Sequence, residues 1–98
     1  MEDDIDEQVL WVPVKETSCG ALAVRTGRAP GSGRVGIGFT SRSALLLALG
    51  SGQPSVRLAG GALRALLLPL GVARIEVDPV ILDPALLRLG ERLVGSAA

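Results

Sequence analysis

Two runs of three leucines, Leu45-Leu46-Leu47 and Leu66-Leu67-Leu68, constrain this chain more than any other feature. Each run sits between helix start and stop signals. Thr40 or Ser41 precedes the first run and Gly50 follows it. Gly60 or Gly61 opens the second, and Pro69 and Gly71 close it. Consecutive helical residues lie about 100° apart, so three leucines in a row cover more than half the circumference. A single core contact buries only a stripe. The remaining leucines need a second contact, inside the domain or with another molecule.

The other segments read mainly as strands. Val9 to Lys15 alternates, with Leu10, Val12 and Val14 pointing one way and Val9 and Trp11 the other. Pro13 cannot donate a ladder hydrogen bond, so this strand is expected at an edge or with a bulge. Thr17 to Gly20 reads as a turn, and Ala21 to Arg25 as a second strand antiparallel to the first. Gly27 to Gly33 is a loop by composition. Arg34 to Phe39 is a third strand, with Val35, Ile37 and Phe39 on one face. Gly36 and Gly38 on the other face imply that something packs close there. Ser55 to Leu58 and Arg74 to Val77 are two more short strands. Asp83 followed by Pro84 is a helix start, predicting a third helix to about Leu93.

The predicted fold class is therefore α+β. It has a mixed, largely antiparallel sheet of about five strands, with two to three helices packed mainly on one face. A length of 98 residues allows one domain, expected over 8–98 behind a flexible acidic arm at 1–7. Only one Trp and one Phe are present, so the core must be aliphatic.

Ten basic and ten acidic residues cancel, which argues against a dedicated nucleic-acid binder. The cancellation hides an asymmetry, because Glu2, Asp3, Asp4, Asp6 and Glu7 fall within the first seven residues. The arm either solvates the chain or covers a basic face on its own chain or a partner's. Arg25, Arg28, Arg42 and Arg57 are the candidate members of such a face. The acidic start lacks a positive n-region, and no apolar run approaches the ~20 residues of a membrane span. A soluble cytoplasmic protein is expected.

The chemistry-bearing residues are sparse. There is no histidine, hence neither the commonest general base nor the commonest metal ligand. Cys19 is the only cysteine, and it reads as a small turn or core residue. Glu16, Glu76, Asp78, Asp83 and Glu91 have no spacing that gathers them into a metal site. The glycine loop leads to Arg34 and a strand, not to the Lys-Ser/Thr and helix of a phosphate loop. Leu63 to Val77 imitates a helix-turn-helix, but its second half alternates with period two and meets Pro79. No catalytic, cofactor or metal residues are expected, and no enzyme. The candidate dimer or partner interface is Leu45, Leu46, Leu49, Leu63, Leu66, Leu67, Leu70 and Trp11.

Three blocks carry a family resemblance. They are Trp11-Val12-Pro13-Val14, then Gly38-Phe39-Thr40-Ser41, then Leu63-Arg64-Ala65-Leu66-Leu67-x-Pro69-Leu70-Gly71-Val72 leading to Ile75-x-Val77-Asp78-Pro79. In this order they resemble the small actinobacterial family typified by the developmental regulator BldB. More distantly they are similar to the N-terminal domain of SseB-type proteins. The likeness covers about residues 9 to 80. It implies a small homodimer needed for sporulation and aerial growth, acting on transcription through helix-turn-helix regulators. It carries no catalytic residues. The function expected is therefore regulation of developmental gene expression by binding a transcription regulator. The rival is direct DNA binding through a basic face of the dimer.

Overall fold

A computed structural model describes residues 5–29, 33–79 and 88–94. A 3-10 turn at Ile5–Glu7 leads into β1 (Val9–Glu16), β2 (Leu22–Ala29) and β3 (Gly33–Gly38). Then come α1 (Arg42–Leu49), β4 (Ser55–Ala59), α2 (Gly60–Leu67), β5 (Ile75–Val77) and β6 (Arg88–Val94). The strands follow the order β4-β1-β2-β3-β5, and β6 pairs with β2. All of these pairings are antiparallel except β3 with β5. The fold is α+β, with a mixed, mostly antiparallel sheet and, among the described residues, two helices.

The sequence predicts both helices mainly on one face; instead they lie on opposite sides of the sheet. Leu10, Val12 and Val14 of β1 form one core with Val24, Leu63, Leu67 and Val72, so α2 covers that side. Ile37, Phe39 and Leu45 form another, with Trp11 packed against it, so α1 covers the opposite side. Alternation along β1 and β3 makes this division obligatory. Trp11 points away from Leu10, and Ile37 points away from Gly36.

Gly36 and Gly38 do mark a close approach. A Cβ at Gly38 would lie 2.8 Å from Leu10 Cδ1, and one at Gly36 would collide with Leu67 Cδ1. The α2 leucine therefore seats directly on the β3 backbone.

Pro13 does not put β1 at an edge. β1 is central, with β4 on one side and β2 and β3 on the other. Backbone amides alternate in direction along a strand. Val14 N donates to Pro54 O on the β4 side, and Trp11 N donates to Phe39 O on the far side. Position 13 thus faces the far side, between the Trp11–Phe39 bridge and the β2 pairing of Lys15 with Ala23. The missing N–H falls where β1 changes partners, so no ladder bond is lost.

The segment 88–94 is a strand where a helix was expected, pairing Leu22 with Val94 and Thr26 with Arg88. A cap signal is local, whereas the second side of β2 carries backbone groups that need partners. Gly90 also weakens a helix there by about 1 kcal/mol. The expected start at Asp83-Pro84 lies outside the described residues.

Residues 5–7 are docked on α2. Gly60 N donates to Gln8 O at 2.8 Å, and Ile5 packs against the α2-side core. A side chain at position 60 would strike the Ile5 carbonyl, so glycine there admits the turn. The first four residues of the acidic arm lie outside the described residues, as does 30–32 of the glycine loop. The strands flanking that loop extend into it as far as Ala29 and from Gly33.

Candidate interaction surface

α1 begins at Ser41, whose Oγ accepts from Ala44 N at 3.0 Å. It ends at Gly50, whose φ of 106° suits glycine. Within its eight residues Leu45 is fully buried against Ile37 and Phe39. Leu46 and Leu49 are half-buried flanks of the same cluster. Leu47 lies two positions from both Leu45 and Leu49, about 200° away, and is 89% exposed.

The second triplet divides the same way. Leu67 is buried, Leu66 is half-buried, and Leu68 is 70% exposed. Leu63 is also buried, and Leu70 packs at the margin. Leu45, Leu63 and Leu67 therefore belong to the core of this chain and present nothing to another molecule. Leu46, Leu49, Leu66, Leu70 and Trp11 offer only part of their surface. Among the described residues the large apolar side chains that stand in solvent are Leu47, Leu68 and Val9. Leu47 and Leu68 lie within the two runs, but a triplet alone does not say which member faces the core.

The four candidate arginines do not gather on one face. Arg57 pairs in register with Trp11, and its guanidinium lies 5.4 Å from the indole centroid. Arg25 lies on the same side of the sheet and donates to Gln53 Oε1 at 2.6 Å. Gln53 Nε2 in turn donates to Val14 O at 2.8 Å, so this arginine is tied into the loop before β4. Arg42 is exposed at the start of α1. Arg28 pairs with Arg34, and alternation from Val24 puts it on the α2 side. Arg34 is committed there to buried Thr26, with Nη2 3.1 Å from Oγ1.

Asp6, from the acidic stretch, accepts from Arg64 Nε at 3.0 Å. Both groups are largely exposed, so the pair contributes little to stability. It does show one acid of that stretch meeting a base of its own chain.

The blocks of the family resemblance meet in space. Trp11 and Phe39 exchange backbone hydrogen bonds of 2.7 and 2.9 Å. The Asp78 carboxylate accepts from Thr40 N at 2.9 Å and from Thr40 Oγ1 at 2.8 Å. Asp78 N donates to Gly38 O, with φ at 53°. These residues close β3 onto β1 and β5, a framework role.

Cys19 is exposed in the β1–β2 turn. Its Sγ lies 3.2 Å from Thr17 Oγ1. That hydrogen bond, helped by backbone contacts at Ala21 and Cys19, draws the thiol below its ordinary value. The polarising group is a neutral hydroxyl two residues back. Among the described residues no three metal-ligating side chains cluster. No helix among them is long and apolar enough to cross a membrane.

Comparison with known proteins finds no matching family model, no matching curated protein and no matching solved structure.

Proposed function

We propose that this chain is a non-enzymatic, cytoplasmic homodimer that regulates developmental gene expression by binding a helix-turn-helix transcription regulator. The three-block resemblance to the BldB-like family carries this reading. Sporulation in an actinobacterial host is the process it points to. The absence of histidine supports a binding role rather than acid–base catalysis. Leu47, standing almost fully in solvent on α1, supports a symmetric contact between copies.

Sedimentation of the native chain and of Leu47→Asp tests the dimer. A native dimer that becomes a folded monomer in the variant is the expected result. A native monomer at micromolar concentration removes the dimer. Affinity capture from the host at physiological salt tests the partner. Recovery of a helix-turn-helix regulator in near-equal amount is expected.

A second reading is direct DNA binding, favoured by Arg25, Arg42 and Arg57 on the α1 side of the sheet. It requires duplex affinity that falls steeply with salt. Capture of the chain alone, with such a salt slope, would replace the first reading by this one.

A further inference from the structure

We propose that the outer edge of β4 is a docking site for an extended segment of a partner protein, one carrying a carboxylate flanked by apolar side chains. The proposal rests on the protein-binding reading above and names the surface used.

β4 ends the strand order, and β1 is its partner on the inner side. Gly60 N and Pro54 O bond to Gln8 and Val14 on that inner side. Even positions therefore face β1, and the N–H and C=O of Ser55, Arg57 and Ala59 face outward. Two usual guards are missing from this edge. It has no proline within it and no lysine. Its one charge, Arg57, is held back over Trp11 rather than across the edge.

The side chains specify what fits. Val56 and Leu58 lie on the α2 side, half-buried against the main core. A strand added to the edge would set apolar side chains beside them and extend that core. Arg57 and Trp11 lie on the other side. Among the described residues Arg57 has no carboxylate partner; its contact is the indole. A residue opposite Arg57 in an added antiparallel strand lies about 5 Å away, Cα to Cα, within reach of an ion pair. Strand addition supplies affinity through the backbone and specificity through alternate side chains.

The test uses capped seven-residue peptides with a central glutamate between two valines, or with lysine in place of that glutamate. Backbone amide shifts of the full chain are followed during titration. The glutamate peptide is expected to perturb Ser55, Arg57 and Ala59, and the lysine peptide to bind about tenfold more weakly.

Two variants sharpen the result. Ala59→Pro removes one outward N–H at a residue whose φ is already −64°, so the fold accepts it. It should weaken the glutamate peptide about tenfold. Arg57→Glu should invert the preference between the two peptides. Equal binding of both peptides, or shifts located away from β4, overturns the proposal. Protection of these three amides by self-association in the absence of peptide also overturns it, since a second copy would then be the occupant. Capture of the same regulator by Ala59→Pro and native protein alike would overturn this edge while leaving the regulatory reading intact.

Discussion

The two sides of the sheet hold similar leucine triplets and treat them differently. On the α2 side, seven buried residues from β1, β2, α2 and Val72 form one cluster, ringed by half-buried neighbours that include Ile5, Val56, Leu58 and Ile75. On the α1 side only Ile37, Phe39 and Leu45 are buried together. α2 is enclosed by the sheet and by the Ile5–Glu7 turn, whereas α1, among the described residues, packs on the sheet. The main core is thus asymmetric, and the thinner side carries the exposed Leu47. In a small domain, one helix completes the core and the other has surface to spare.

The largest expected effect comes from deleting a leucine on each side. Leu67→Ala should destabilise by about 3–5 kcal/mol, because Leu67 fills the space left open by Gly36 in a well-enclosed core. Leu45→Ala should lie near about 2–3 kcal/mol, since the smaller cluster can collapse onto the gap. Urea denaturation of both variants checks the ranking, and equal losses would erase the asymmetry.

Gly60→Ala is next. Alanine ordinarily favours a helix over glycine by about 1 kcal/mol. Here the added methyl meets the Ile5 carbonyl, and that group is backbone. The sign should reverse, to a loss of about 1–3 kcal/mol, with exchange protection lost at Gln8 and Gly60. A stabilised variant would mean that the turn does not enclose α2.

Ser41→Ala removes the cap of α1 and should destabilise by about 1 kcal/mol, read from thermal unfolding. α2 has no side-chain cap, so the same class of substitution at Ala59 has nothing to remove.

The smallest effect belongs to the β1–β2 turn, away from both helices. Thr17→Val should move the pH midpoint of Cys19 alkylation upward, because the hydroxyl that lowers the thiol is gone. With the lowered value, native protein holds more thiolate between pH 7 and 8 and reacts faster. The same sign makes this small contribution to stability present at high pH and lost as pH falls through the native thiol's value. An unchanged midpoint would assign the shift to backbone donors alone.

Much of this architecture was legible locally. The alternation Leu10-Val12-Val14 and Val35-Ile37-Phe39, the Ser41 cap, the Gly50 stop and the Pro69-Gly71 end depend on residues close in sequence. The two glycines of β3 announced close neighbours without saying that these were Leu67 at Gly36 and Leu10 at Gly38. The candidate interface was less legible. Periodicity shows that a triplet covers too wide an arc, but not which arc meets the sheet. Leu45, Leu63 and Leu67 were therefore expected at an interface and lie in the core.

What the sequence by itself determined is the class of fold, the bounds of α1 and α2 to within a residue or so, and an aliphatic core, because these follow from side-chain period and backbone preference. The tertiary structure alone decided four things. It put the helices on opposite faces, made β1 central despite Pro13, turned 88–94 into a strand, and split the arginines between two sides. Each depends on which backbone edge is left unpaired and which face is left uncovered once the rest has packed. Those are properties of the assembled sheet, and no single segment carries them.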